Sequence, residues 1–118
     1  SNLLTSGNLE IDLLSKTAKV KDRIINLTRS EYDLLLFLIG NKKRIVSKDS
    51  IAEHLSGDMA DMFDNYNFVY AHIKNLKAKL SEEGCDCMIK TIYGTGYQWV
   101  EWEHWQIKIS EAFLYTQH

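Results

Sequence analysis

The 118-residue chain has no proline, only two cysteines and no apolar run long enough to span a bilayer. Its first residues also lack the charged region followed by an apolar stretch that marks a secretory signal. These absences predict a cytoplasmic protein that does not enter a membrane. Because 45% of the residues are apolar, the chain can bury one sizeable core, which predicts a single compact domain.

The sequence contains no arrangement that is typical of an enzyme. No serine, histidine and acidic residue occur at catalytic spacing, and no glycine-rich phosphate loop opens a helix. His54, His104 and His118 are too scattered for a metal site, and His72 has no metal-ligand spacing around it. We therefore expect a non-enzymatic protein without a cofactor and without a bound metal.

The two cysteines are Cys85 and Cys87, separated by one residue. A Cys-x-Cys pair has poor geometry for a disulfide and supplies only two of the ligands that zinc prefers. Proteins inside cells keep most thiols reduced. We therefore expect two reduced thiols beside a turn.

Charge is distributed unevenly along the chain. The formal net charge is −2, but the part up to Val100 contains thirteen Lys and Arg and thirteen Asp and Glu. The deficit belongs to the C-terminal tail, where Glu101, Glu103 and Glu111 outnumber Lys108. Since local charge matters more for binding than the sum, the net charge does not exclude a nucleic-acid partner.

Short apolar stretches near the N-terminus predict a sheet. Residues 8–26 consist of such stretches, with breaks at residues 15–16 and 21–22. This pattern predicts a three-stranded antiparallel meander.

Three segments after this sheet begin with helix-capping residues. At the first of them, Thr28 and Glu31 have the spacing of a capping box, and apolar residues suited to hydrophobic staples accompany all three starts. The predicted N-caps are Thr28, Ser47 and Asp64, and the predicted helices end near Gly40, Ser56 and Ser81.

The third predicted helix has one apolar face and one face that suits DNA. No acidic residue occurs between Asn65 and Leu80. Lysines neutralise phosphates, and asparagine can pair with base edges in the major groove. A solvated helix also needs a polar face, so this helix alone leaves both interpretations open. The apolar stripe consists of Val69, Ile73, Leu76 and Leu80, and the opposite face of Asn67, Tyr70, Ala71, Lys74, Asn75, Lys77 and Ala78.

A hairpin is predicted after the third helix. Two β-rich runs in residues 88–100 surround Gly94 and Gly96, and glycine tolerates the positive φ angles of a tight hairpin tip. Strand alternation places Thr91 and Tyr93 on one side, where they can touch a partner, and Lys90 and Ile92 on the other side, where Ile92 can be buried. The order of helix, turn, helix and hairpin wing is typical of DNA-binding proteins.

From Gly7 to Val100 the chain resembles the effector domains of OmpR/PhoB-type response regulators. The matching segments are LTRSEYDLLLFL at residues 27–38, RIVSKDSIAEHL at 44–55, VYAHIKNLKAKL at 69–80 and IKTIYGTGY at 89–97. The resemblance implies an α+β fold, a winged helix-turn-helix with an N-terminal antiparallel sheet, a three-helix core and a C-terminal β-hairpin wing.

The resemblance also implies a function. It implies a transcription regulator of a bacterial two-component system that binds double-stranded promoter DNA sequence-specifically, usually as a dimer on direct repeats. Control would come from phosphorelay to a receiver domain that would precede residue 1. Residues 57–63 lie where the family contacts RNA polymerase, although their acidic character equally suits a solvated loop. The alternative is a winged-helix protein-interaction module without DNA binding, because the charges up to Val100 sum to zero and the tail is aromatic.

The resemblance assigns DNA contacts to particular positions. Asn75 and Tyr93 stand where the family commonly has arginine, which predicts weaker phosphate attraction and, at Asn75, a preference for adenine. The family positions are Lys48, His72, Lys74, Asn75, Lys77, Thr91, Tyr93 and Tyr97, to which the helix face adds Asn67 and Tyr70.

The C-terminal tail extends past the part that resembles the family. We expect a winged-helix domain at residues 1–102, of which 1–2 are compatible with a cloning scar, and an extension at residues 103–118 that packs on it. Four apolar residues near this tail are spaced by three, four and four positions, which favours a helix, although the pattern of residues 106–109 also allows a strand. The acidic tail could instead cover the basic helix face or form a dimer contact. The apolar residues so spaced are Trp102, Trp105, Ile109 and Phe113.

Overall fold

The computed structural model describes residues 2–56 and 66–101. The strands are β1 (Leu3–Ser6), β2 (Leu9–Asp12), β3 (Thr17–Val20), β4 (Arg23–Ile25), β5 (Cys87–Ile92) and β6 (Gly96–Glu101). The helices are α1 (Arg29–Gly40), α2 (Lys48–Ser56) and α3 (Asn67–Glu82). This order confirms the predicted sheet, three helices and hairpin wing. Among the described helices, none has the length and apolar character needed to cross a bilayer.

The N-terminal sheet has one more strand than the sequence predicted. Its order is β1-β2-β3-β4, and all neighbours are antiparallel. The predicted meander corresponds to β2, β3 and β4, with both turns at the predicted breaks. The prediction missed β1 because this edge strand buries only Ser6 and therefore shows no apolar alternation.

Local chemistry explains the two turns of the meander. In the first, the side-chain carboxylate of Asp12 accepts the backbone N–H groups of Leu14 and Ser15. In the second, Lys21 and Asp22 both have positive φ angles, 52° and 64°, between paired strands. Two consecutive positive φ angles are those of a type I′ turn, whose twist matches that of the flanking strands.

The helix starts agree with the predicted caps at two of three positions. Thr28 and Glu31 form both hydrogen bonds of the capping box, at 3.2 Å and 2.8 Å. At the second start the Ser47 hydroxyl accepts the N–H of Ser50 at 3.1 Å. The third helix begins later than predicted, because its N-cap residue is Tyr66, which makes no side-chain cap. Asp64, the predicted cap, lies outside the described residues.

The core forms where α1 packs against α2, α3 and β6. Leu34, Leu35 and Leu38 of α1 are fully buried. All four residues of the predicted apolar stripe of α3 are also buried, with exposures of 0% to 4%. The sheet contributes Leu9, Ile11, Ala18, Val20 and Ile25, and the hairpin contributes Cys87, Ile89, Tyr97 and Trp99.

The hairpin is joined, near its tip, to the segment between α1 and α2. Val46 and Tyr97 exchange two backbone hydrogen bonds, of 2.7 Å and 2.8 Å. This close approach requires Gly96, because a Cβ there would lie 2.1 Å from the carbonyl oxygen of Val46, and its φ is +153°. The two glycines therefore differ in role. Gly94 occupies the hairpin tip with a φ of +74°, and the tip is closed by a hydrogen bond from the Thr95 N–H to Ile92.

This difference predicts unequal effects of alanine at the two glycines. Gly96→Ala should lower the free energy of unfolding by about 3 kcal/mol or more, since a clash with backbone adds to the strained φ. Gly94→Ala should cost only about 1 kcal/mol, because its φ is strained but no atom lies within 4 Å of the added methyl. Urea unfolding of both variants measures the two values. Equal losses would contradict the close approach at Val46.

Candidate nucleic-acid interface

The outward face of α3 presents most of the residues that the sequence predicted to touch DNA. Asn67, Lys74 and Asn75 are exposed, and Tyr70 retains 44% of its accessible surface. His72 is half-buried, with the edge of its ring against Phe68 at a centroid distance of 6.5 Å. Because the buried stripe fixes the rotation of the helix, these polar groups point away from the core.

A side-chain hydrogen bond links this helix to the wing. The Lys77 ammonium donates to the hydroxyl of Thr91 on β5 at 2.8 Å. The side chains of Cys87, Ile89 and Thr91 lie on one face of β5. Cys87 and Ile89 are buried, whereas Thr91, which is nearer the hairpin tip, is exposed. Ile92 is half-buried on the opposite face. One polar surface therefore continues from α3 onto the hairpin.

The tip of the wing projects away from the core. Tyr93 is 94% exposed there. Its hydroxyl can donate or accept a hydrogen bond, and its ring offers a flat apolar surface, but it carries no positive charge. A contact through this residue would therefore depend on hydrogen bonding or packing.

The start of α2 approaches the start of α3 through a tyrosine that the sequence interpretation missed. The Lys48 ammonium lies 4.5 Å from the centroid of the Tyr66 ring, a cation-π contact, and the Tyr66 hydroxyl donates a hydrogen bond to Asp49. This hydrogen bond is the main cause that raises the pKa of Tyr66. In the sequence, only the position of Tyr66 near the start of the third helix could have indicated its contacts with Lys48 and Asp49. Lys48 is thereby placed beside the N-terminal end of α3.

Tyr97 differs from the other nine predicted residues because it is buried. Only 9% of its surface is exposed, and it follows Gly96 at the pairing with Val46. Burial is the main cause that raises the pKa of Tyr97, and nearby Tyr70 adds to it. Its ring therefore packs in the core and holds the hairpin against the helices.

The lysines of this surface differ from the cations that form ion pairs in the described part of the chain. Ion pairs in the described part of the chain engage Arg23, Lys42 and Lys79. Within residues 2–56 and 66–101, neither Lys74 nor Lys77 has a carboxylate oxygen within 4.0 Å. As far as residues 2–56 and 66–101 are concerned, these ammonium groups can therefore meet an anion without first breaking an ion pair.

An ion pair with a buried carboxylate anchors α3 to the start of α1. The Lys79 ammonium lies 2.6 Å from a carboxylate oxygen of Glu31 and also donates to the carbonyl oxygen of Asn26 at 2.9 Å. Glu31 is 3% exposed and also accepts the N–H of Thr28. Burial alone would raise the pKa of Glu31, but the hydrogen bonds from Lys79 and Thr28 outweigh it and lower the pKa. Lys79 therefore has a structural role, unlike Lys74 and Lys77.

Two predicted features lie outside the described residues. These are the segment 57–63, assigned to RNA polymerase contact, and the tail at residues 103–118. Both stay predictions.

Comparison with known proteins shows which family this chain is similar to. The family model described as "Transcriptional regulatory protein, C terminal" matches residues 21–99. The response regulator MprA of Mycolicibacterium vanbaalenii is 32% identical over 97 residues, which are 82% of this chain and 41% of that protein. The chain thus spans about two fifths of the length of the curated relatives that it matches.

Solved structures share the fold. The DNA-binding domain of Bacillus subtilis CssR is 29% identical, with a TM-score of 0.67 over 78% of this chain and 99% of that one. DrrB of Thermotoga maritima, described as an OmpR/PhoB homolog, is 28% identical with a TM-score of 0.72, over 85% of this chain and 45% of that one.

The Glu31–Lys79 pair predicts a pH dependence of stability. Because the pKa of Glu31 is lowered on folding from its ordinary value of 4.5, its contribution is complete well above that pH and is lost as the pH falls below it. Glu31→Gln can keep the capping geometry but loses the charge, so it should lower the free energy of unfolding at pH 7 by about 1 to 2 kcal/mol.

Denaturant unfolding from pH 7 to pH 3 tests this expectation. The difference between wild type and Glu31→Gln should shrink toward pH 3, and Glu82→Gln, at an exposed carboxylate of α3, the helix that carries Lys79, should change little. A difference that stays constant over this range would exclude the ion pair as its source.

Proposed function

As this chain belongs to the family of transcriptional regulatory protein C-terminal domains, the winged-helix DNA-binding domains of OmpR/PhoB-type response regulators, we propose that it places α3 in the major groove of promoter DNA. The β5–β6 hairpin then rests on the adjacent backbone or in the minor groove. The observation that carries this proposal is the hydrogen bond between Lys77 and Thr91. It joins the helix and the wing into one polar surface whose lysines can meet phosphates.

The residues divide into groups by their chemistry. Lys48, Lys74 and Lys77 neutralise phosphates, which supplies affinity without sequence preference. Asn67, His72 and Asn75 carry hydrogen-bonding groups that can address base edges, and Asn75 matches the donor and acceptor pattern of adenine. Thr91 and Tyr93 contact the backbone or minor groove from the wing. Tyr70 and Tyr97 lie at the junction of helix and hairpin, where the buried Tyr97 ring acts mainly by support.

The whole regulator is proposed to contain more than this chain. By analogy with its longer relatives, a receiver domain precedes the winged helix and controls it by phosphorylation, and two copies bind a direct repeat. Residues 57–63 contact RNA polymerase in this proposal. Residues 1–102 form the DNA-binding unit, which acts in the cytoplasm without catalysis, and residues 103–118 form an extension of the same domain.

Removal of two phosphate-facing charges tests the electrostatic part of the proposal. The double variant Lys74→Ala, Lys77→Ala should bind any duplex more weakly, because each lost phosphate contact removes one released counterion. Its slope of log affinity against log salt should be smaller in magnitude by about 1.8 than that of the wild type. Fluorescence anisotropy with a mixed-sequence duplex across a salt series measures both quantities.

A matched control uses two exposed lysines near the N-terminal sheet. The double variant Lys16→Ala, Lys19→Ala changes the net charge equally but lies away from the proposed surface, so its salt slope should equal that of the wild type. Equal slopes for both double variants would contradict the placement of DNA on α3. No binding by the wild type even at low salt would instead favour the protein-interaction function.

Asn75 tests the sequence-specific part of the proposal. Asn75→Ala should weaken binding to the preferred site by about 1 to 3 kcal/mol and relax the base preference at one position, without a change in salt slope. Asn75→Arg should shift that preference from adenine to guanine. Selection of sites from a random duplex pool measures these preferences. An unchanged site for both variants would place Asn75 outside the groove.

A further inference from the structure

A second cluster of functional side chains lies at the opposite end of the hairpin from Tyr93. It comprises Cys85, Asp86 and Cys87, and the two thiol sulfurs and a carboxylate oxygen all lie within 4.8 Å of one another. In a regular strand the middle residue of three would point away from its neighbours. Here β5 begins only at Cys87, and Asp86 lies in a bend after Gly84, so all three side chains converge.

Contacts with the N-terminal sheet hold this cluster in place. Asn8 and Asp86 form two reciprocal hydrogen bonds of 2.9 Å, and the Asn8 amide also donates to the carbonyl oxygen of Gly84 at 3.0 Å. Gly7 approaches so closely that a Cβ there would lie 2.0 Å from the Asp86 carboxylate and 2.8 Å from the Cys87 sulfur. The turn between β1 and β2 therefore forms one wall of the cluster.

The buried thiol has a second set of partners. The Cys87 sulfur lies 3.3 Å from the Ser6 hydroxyl oxygen and donates to the carbonyl oxygen of Ser6 at 3.2 Å. The same hydroxyl accepts a hydrogen bond of 2.8 Å from the indole N–H of Trp99. The Ser6 hydroxyl thus connects the Cys87 sulfur to the buried Trp99.

The spacing of these atoms suits a tetrahedral metal ion. With a zinc–sulfur bond of about 2.3 Å and a zinc–oxygen bond of about 2.1 Å, tetrahedral geometry separates a sulfur and an oxygen ligand by about 3.6 Å. The Cys87 sulfur and the Asp86 Oδ1 are 3.6 Å apart. Although Asp86 Oδ1 already accepts one N–H group, a carboxylate has about four lone-pair positions and can also bind a cation.

We propose that Cys85, Asp86 and Cys87 bind a thiophilic divalent cation of the zinc type. Two thiolates and one carboxylate supply three ligands, and water completes the tetrahedron at the half-exposed side of Cys85. Binding forms two metal–sulfur bonds, and each thiol that binds gives up its proton to solvent, with no change of oxidation state. Sulfur ligands select this ion class over magnesium or calcium. The site is independent of DNA binding by α3.

Cobalt(II) serves as the probe, because cobalt bound to thiolates gives near-ultraviolet charge-transfer bands that cobalt bound only to oxygen or imidazole lacks. The reduced 118-residue protein should show these bands with a stoichiometry of one ion per chain. Zinc should displace the cobalt and remove them. Competition titrations then give the zinc dissociation constant for each variant.

Three variants assign the ligands. Cys85→Ser should abolish the charge-transfer band while near-ultraviolet circular dichroism reports an intact fold, since Cys85 is only half-buried. Asp86→Asn keeps an oxygen that can accept the N–H of Asn8 but loses the charge, so zinc should bind at least about tenfold more weakly. The double variant His104→Gln, His118→Gln is the control and should bind cobalt as the wild type does.

The opposite results would overturn the proposal. An absent charge-transfer band in the reduced wild type would exclude thiolate coordination. A charge-transfer band of unchanged intensity in Cys85→Ser would exclude Cys85 as a ligand, and an unchanged zinc dissociation constant in Asp86→Asn would exclude the three-ligand site.

Discussion

The arrangement of the proposed DNA-binding surface depends on the two backbone hydrogen bonds between Val46 and Tyr97. They fasten the hairpin to the segment between α1 and α2, and Gly96 permits the approach because any side chain would meet the carbonyl oxygen of Val46. Backbone groups buried here are thereby paired. With the hairpin fixed near its tip, Thr91 comes within hydrogen-bond distance of Lys77. Helix and wing consequently present one surface.

The chain separates structural cations from cations that are available to a ligand. Lys79 is bound to a buried carboxylate, where burial of either charge alone would be costly, so its position on α3 is set by folding. Lys74, on the same helix, extends into solvent. A net charge of −2 therefore says little about the partner, since what a phosphate backbone meets is the local arrangement of ammonium groups.

Sequence patterns predicted most of the fold because local physical chemistry determines most of it. The Thr28 capping box, the Ser47 cap and the buried stripe of α3 depend on contacts a few residues apart along the chain. The errors occurred where such patterns are absent. Strand β1 is held by pairing with β2 and buries almost nothing, and α3 begins without a side-chain cap.

The sequence by itself determined the order of the elements and the outward polar face of α3, because helical and strand periodicities and caps are local properties of the chain. The resemblance of four sequence segments indicated the family. Only the tertiary structure decided that Tyr97 supports the wing from the core, that Gly96 serves a close approach, and that Tyr66 contacts Lys48. It likewise decided that Asp86 converges with the two cysteines beside Gly7. These relations join residues far apart in the chain, or depend on where a strand begins, and no local period encodes them.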